Sequence, residues 1–480
     1  MKYLNLNLEA FEYRKEDNTE RFRVRVTNSP KGEQKADDAE TVSLPDDLRS
    51  RLRRLEKRSL TLQEMIALGE DLGAALFPPK VRDFYIRSVA SLDEAEGLRI
   101  RLMIGSYALS DIPWEYVYLS DSDTPAGQKK AHSFLVFNPQ ISLVRYQMIG
   151  KALGKIDTVG DENLRLVAFL SNPDNTPGLD LIAEQRNILA AVKDLSQVVP
   201  EFYVNETIEK LLRILIKPAH IFHFSGHGSF QGSMGDTFGS EEGEGMLAFA
   251  GEDGQAVDFP AEKLAMNLAG RGVRFAMLGA CESSKVDQIN AWTGIAPALT
   301  LAGIPAVVGM QFKVRDKSAI AFSNILYDSL AAGLTIDQAV SKGRLAIYTL
   351  GNSDERDWGV PVLYLRAEEG VLFPETKPRV PKPADQTEKP VTPKVPPPVN
   401  VRILREAIVK SFSLEDLEIL CADIQQALAE AGVDLQVNLD LVEGNGKTAK
   451  VQSLIGYLDR RGYLPYLLKA VREARPNIGV

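Results

Sequence analysis

Apolar residues recur along this chain in two rhythms, and the change of rhythm marks out its parts. In the first 150 residues, Tyr3 to Tyr13 and Arg21 to Val26 partly alternate apolar and polar, as half-buried strands do. Leu60 to Leu76 carries apolar residues at helical spacing and runs into Pro78-Pro79, and Leu98 to Ile104 alternates again. From Leu164 the order becomes strand, helix, strand, helix. Leu164 to Leu170, Val198 to Val204, Ala219 to Ser225, Val273 to Leu278, Ile304 to Met310 and Val360 to Leu365 read as strands. Leu181 to Leu195, Thr207 to Ile216, Leu264 to Leu268, Ala296 to Ala302, Ser318 to Ala331 and Ile336 to Tyr348 read as helices. Met246 to Phe259 reads as a hairpin turning at Glu252-Asp253-Gly254. Mostly apolar strands between helices predict an α/β fold with a mostly parallel sheet and helices on both faces.

The rhythm breaks at residues 374–400, where Pro, Lys and Thr replace apolar residues. Such a stretch cannot bury a core and reads as an extended linker. Beyond it, 401–480 reads as a small helical bundle. The expected divisions are a mixed β/α unit at 1–150, an α/β domain at 160–370, the linker, and the bundle. A length of 480 residues agrees with several domains. The net charge of −9 gives no reason to expect nucleic-acid binding. Met1 to Asp17 lacks the apolar core of a signal peptide, and no apolar run is long enough to span a bilayer. A cytoplasmic protein without membrane contact is therefore expected. Two cysteines, Cys281 and Cys421, fall in different divisions, which excludes a disulfide framework.

In α/β sheets, function gathers at the carboxyl ends of strands. One strand ends Phe224-Ser225-Gly226-His227-Gly228, and the next ends Leu278-Gly279-Ala280-Cys281. A thiolate is the nucleophilic form of cysteine, and an imidazole within reach generates it and then protonates the leaving amine. Backbone N–H groups of Gly228 and Cys281 are candidate oxyanion donors. Gln311 and Phe312, at the end of a further strand, are candidate substrate-binding residues. His220, His223 and His227 lie on a strand and its loop and cannot share the helical face of a zinc motif, so neither a metal nor another cofactor is expected. Gly444-Asn445-Gly446-Lys447-Thr448 imitates a phosphate loop, but Leu441 stands where its first glycine belongs. Trp114, in Ile112-Pro113-Trp114-Glu115-Tyr116, reads as a packing residue. The acidic, glycine-rich stretch Gly235 to Gly245 reads as a loop near the site.

The segments HFSGHG, LGACESS, IPAVVGMQFKVRD and DWGVPVLYL together resemble the CHAT family of caspase-like, clan CD cysteine peptidases. The resemblance runs from about Tyr3 to Leu365. It implies a caspase-like sheet and an endopeptidase with a Cys–His dyad, matched here by Cys281 and His227. Gly279 and Glu282 depart from the caspase signature around the nucleophile, so cleavage after aspartate is not implied. The bundle, with FSLEDLEILC and GKTAKVQSLIGYLDRRGYLPYLLKAVREARP, resembles bacterial effector-associated domains, which are death-like adaptors. That resemblance implies a partner protein with a like domain, with Arg460, Arg461 and Lys469 as candidate contacts. It also implies a role in bacterial defence or programmed cell death on a specific protein substrate, a bacterial gasdermin among the candidates. The alternative is a catalytically silent, caspase-like scaffold. Cys421, inside an apolar-periodic helix opened by Ser413, reads as core.

Overall fold

The structure is a computed structural model of the chain. It describes residues 1–17, 19–119, 130–146, 163–176, 178–179, 181–192, 198–232, 243–281, 292–351, 355–373, 401–430, 437–439, 446–459 and 463–475. The expected linker, most of the expected loop from Gly235, Glu282, Arg460 and Arg461 lie outside the described residues. Residues Met1–Pro378 form one compact unit and Arg379–Val480 another.

The first unit opens with β1 (Lys2–Glu16), β2 (Thr19–Asn28) and β3 (Glu40–Ser43). The helices α1 (Leu48–Glu56), α2 (Leu62–Leu76) and α3 (Pro79–Val89) follow, then β4 (Glu96–Ile104), the single turn α4 (Tyr107–Ser110) and β5 (Ile141–Arg145). Thr61 and Glu64 close a reciprocal capping box on α2. The prolines taken as its end do end it, but Pro79 also starts α3, since proline suits the first helical turn.

The alternating part begins with β6 (Leu164–Leu170), α5 (Leu181–Val192), β7 (Val198–Val204), α6 (Ile208–Ile214) and β8 (Ile221–Gly232). Next come the hairpin β9 (Gly243–Ala250) and β10 (Ala256–Pro260), then α7 (Ala261–Leu268), β11 (Phe275–Cys281) and α8 (Trp292–Leu301). It closes with β12 (Ala306–Met310), α9 (Asp316–Ala331), α10 (Ile336–Leu350) and β13 (Pro361–Leu365).

One sheet runs through the unit in the order β7, β6, β8, β11, β12, β13, β5, β4, β1, β2, β3. β7, β6, β8, β11 and β12 are parallel, and β13 runs antiparallel to β12. Strands from residues 1–150 thus extend the sheet of residues 160–370, joined through the pair Tyr364↔Arg145. The separate N-terminal unit expected from the sequence is part of the first compact unit. At the far edge β7 pairs, among the described residues, with β6 alone, with Pro200 opposite Leu166.

Alternation along the strands splits the core in two. Ile221, Phe275, Ala306 and Leu363 share a cluster with Ile188 of α5, Phe322 of α9 and Val340 of α10. Phe222, Phe224, Ala276 and Val307 share another with Leu211 of α6, Leu264 of α7 and Ile295 of α8. Buried charge then ties the N-terminal strands to the rest. Arg99 of β4 donates from Nε and Nη2 to Asp337 of α10 at 2.8 and 2.6 Å, and Ser142 Oγ donates to the same carboxylate at 2.7 Å. Both charged side chains are fully enclosed. Gly370 has φ +69°, and a Cβ there would stand 2.4 Å from Asp337 Oδ2, so the turn must be glycine.

The second unit contains α11 (Val401–Ser411), α12 (Leu414–Glu430), α13 (Lys447–Asp459) and α14 (Leu464–Ala474). α11 puts Leu404 and Ile408 into the core with Leu417, Leu420, Leu454 and Leu467. Ser413 and Asp416 cap α12 reciprocally. Cys421 is buried in this core, and burial, followed by the nearby Glu418 carboxylate, pushes its thiol up to about 12.

Two outcomes are expected. Asp337→Ala strands Arg99 in the core and costs about 3–5 kcal/mol in urea unfolding, while replacing both residues by apolar ones of similar size recovers most of that loss. The raised Cys421 thiol is neutral in the folded unit up to about pH 12, whereas an unfolded thiol ionises near pH 9. This contribution to stability is therefore complete below pH 9 and is lost as pH rises towards 12. Measured against pH, the stability difference between Cys421→Val and wild type should move in favour of the variant over that interval.

Candidate active site

β8 and β11 run parallel in register, from Phe275↔Ile221 through Gly279↔Ser225 to Cys281↔His227. The two residues singled out by sequence are thus direct neighbours across a ladder, with backbones about 4.8 Å apart. Sequence reading placed them on loops just past their strands; the strands instead continue through both. His227 is largely buried, with a relative exposure of 6%. Residues 221, 223, 225 and 227 of β8 share one parity, as do 275, 277, 279 and 281 of β11.

The glycines around His227 have distinct occupations. A Cβ on Gly226 would lie 2.8 Å from the Phe224 ring and 3.0 Å from the Ser171 carbonyl oxygen, so the strand fits there only as glycine. Gly228 is half-buried and pairs with Leu247 of β9. At this point β8 changes neighbours: its pairing with β6 ends at Leu170↔Ser225, and its pairing with β9 begins at Gly228↔Leu247.

The other histidines are separately engaged. His220 Nδ1 accepts the Arg165 N–H at 3.0 Å. His223 Nδ1 lies 3.1 Å from the Tyr327 hydroxyl, and its Nε2 lies 3.3 Å from Glu184 Oε1 without hydrogen-bond alignment. Burial first, and then the Glu184 charge, drives the Tyr327 hydroxyl far above its ordinary pKa, so it stays neutral. Among the described residues no group of three or more His, Cys, Asp or Glu is placed to hold a metal ion.

Gln311 is engaged inside the fold. Its side chain is buried, and Nε2 donates to Glu115 Oε2 at 3.2 Å and to the Gly359 carbonyl at 2.8 Å. Both amide hydrogens are used inside the fold, which leaves the group no free donor for a substrate. Phe312 is half-buried under the Arg356 guanidinium, 4.9 Å from the ring centroid. Phe312 lies two residues past the carboxyl end of β12, the strand beside β11. Lys469 is exposed on α14.

The network around Gln311 was missed at the sequence level. Glu115 accepts from Arg145 Nε and Nη2 at 3.1 and 2.9 Å, and all three side chains are buried. A charged residue inside the apolar run Ile112-Pro113-Trp114-Glu115-Tyr116 was the available signal. Trp114 is a packing residue, fully buried, with Nε1 donating to the Leu109 carbonyl at 2.9 Å. Next to it, Tyr116 packs on Trp358 with ring centroids 4.8 Å apart, and Gly359 lies flush against the Tyr116 ring.

The CHAT-domain family model matches residues 67–377, and the model of effector-associated domain 7 matches residues 404–476. Among solved structures, the Saccharomyces cerevisiae separase–securin complex is 16% identical, with a TM-score of 0.34. That match covers 59% of this chain but 17% of the separase chain, so this chain spans about a sixth of its length. The complex of Porphyromonas gingivalis RgpB pro- and mature domains is 11% identical, with a TM-score of 0.39, covering 69% of this chain and 78% of the other. The Arg-specific cysteine proteinase gingipain R (RgpB) is 12% identical at the same TM-score, covering 64% and 70%. No curated protein matches. The CHAT match takes in well over half of the chain. The chain belongs to the CHAT-domain family and carries a C-terminal effector-associated domain.

Gly226→Ala is expected to lower the stability of the first unit by about 1–3 kcal/mol, the usual cost of forcing a methyl into a filled core, as read by denaturant unfolding.

Proposed function

We propose that this chain is a cytoplasmic cysteine endopeptidase of a bacterial defence or cell-death system, with His227 and Cys281 as its catalytic dyad. The register pair Cys281↔His227 carries this reading, because shared parity gives both residues the same face of neighbouring strands. His227 takes the thiol proton, and the Cys281 thiolate attacks the carbonyl carbon of the scissile peptide bond. The tetrahedral oxyanion is held by the N–H groups of Gly228 and Cys281, each donor typically worth about 3 kcal/mol of barrier. Both residues sit in strand ladders here, so this role requires their N–H groups to face the cleft instead. Collapse expels the amine with the proton from His227, and water then releases the acyl group from the sulfur. Phe312, just past the carboxyl end of β12, is the side chain proposed to line the cleft.

The effector-associated domain supports recruitment or activation through a partner bearing a like domain. Arg460, Arg461 and Lys469 are its proposed contacts, and a bacterial gasdermin is a fitting substrate. Among the described residues no helix is long and apolar enough to cross a membrane.

The test is a proteome-wide search for new N-termini in cells expressing wild type or Cys281→Ala. Discrete new termini should appear with wild type and vanish with the variant; identical sets would mean that the chain acts as a silent scaffold. Truncation before Val401 should lower cleavage at least ten-fold, and unchanged cleavage would remove the recruitment role.

A further inference from the structure

β6 and β9 meet end to end along one edge of β8, and a single side chain spans the joint. Ser171, the residue after β6, has no solvent exposure. Its N–H donates to the Ser225 carbonyl of β8 at 2.8 Å. Its hydroxyl donates to the Ala248 carbonyl of β9 at 2.7 Å. Its own carbonyl oxygen lies 3.0 Å from where a Cβ of Gly226 would stand. Ala248 is the first residue of β9 beyond its last pair with β8, Gly228↔Leu247. Extending that register sets Ala248 opposite His227. The Ser171 hydroxyl therefore satisfies a buried carbonyl at the level of the proposed base, where neither ladder continues.

On the opposite face the same stretch is backed by aromatic rings. Phe249 of β9 packs on Phe224 of β8 and Phe169 of β6 at centroid distances of 5.4 and 5.3 Å. Rings thus fix the distance between the strands, while Ser171 fixes how far β9 lies along β8. A sliding β9 would carry Gly228, and with it the backbone that aims His227.

We infer that Ser171 is a positioning residue for His227, acting through the backbone of β8 and β9 without touching substrate. The inference rests on the proposed dyad. Removing the hydroxyl leaves the Ala248 carbonyl buried and unpaired and frees the joint to shift. His227 then pairs less well with the Cys281 thiolate.

The test needs no substrate. Alkylation of Cys281 in the full chain by iodoacetamide is followed against pH by peptide mass spectrometry. An effective dyad places the inflection of wild type well below the value of about 8.5 for a free thiol, and His227→Ala returns it there. Ser171→Ala should move the inflection at least halfway to that of His227→Ala and slow alkylation at pH 7 about ten-fold. Ser171→Thr, which keeps the hydroxyl, should restore the wild-type inflection. Asn175→Ala removes a separate latch, the 2.8 Å bond from the Ala256 N–H at the hairpin tip, and should leave the inflection in place. Should Ser171→Ala fail to fold, Ser171→Cys, of nearly the same shape with a weak donor, carries the same expectation. A Ser171 variant that loses thermal stability but keeps the wild-type inflection overturns the inference and leaves the dyad standing. A wild-type inflection at the free-thiol value, unmoved by His227→Ala, overturns the dyad and the inference together.

Discussion

The Glu115 carboxylate holds the two halves of the sheet in one piece. It is fully buried, grips Arg145 at the end of β5 through two hydrogen bonds, and takes a third from Gln311 at the end of β12. Strand pairing alone would not suffice, since β13 and β5 share the single pair Tyr364↔Arg145. A carboxylate so enclosed is tolerable only when charge and lone pairs are met together. Meeting them fixes the end of β12, the strand beside β11, and so sets one wall next to the proposed nucleophile. The Arg99–Asp337 pair does similar work farther along, joining β4 to α10.

Much of the alternating body was legible because its strands are short apolar runs and its helices have clear periodicity. Leu164–Leu170 and Val198–Val204 coincide with β6 and β7 as observed. The hairpin turn at Gly254, with φ +77°, followed from its local sequence. Less legible was whatever depended on distant partners. Nothing local in Tyr3 to Tyr13 says that β1 lies beside β4, or that this group adds to the edge of β13. Glu115 and Arg145 looked like isolated charges until the fold set them together. The strand extensions through His227 and Cys281 also escaped notice. Gly226, Gly228 and Gly279 read as loop residues, whereas Gly226 is glycine because an aromatic ring and a carbonyl leave no room for a methyl.

The proposed site is accordingly built on ladder geometry as much as on loops. His227 sits where β8 passes from one neighbour to another, with β11 along its other edge. A residue at such a junction has its backbone held from both sides, by β11 along one edge and by the meeting of β6 and β9 along the other. The histidines nearer the amino end, His223 within β8 and His220 just before it, are taken up by Tyr327 and Arg165.

β7 brings one more consequence. Among the described residues it pairs with β6 alone, and Pro200 stands in its middle opposite Leu166. Proline has no N–H to offer, so a strand from another molecule would find a gap in the run of donors it needs. That side of β7 is thereby a poor template for fibre-like stacking.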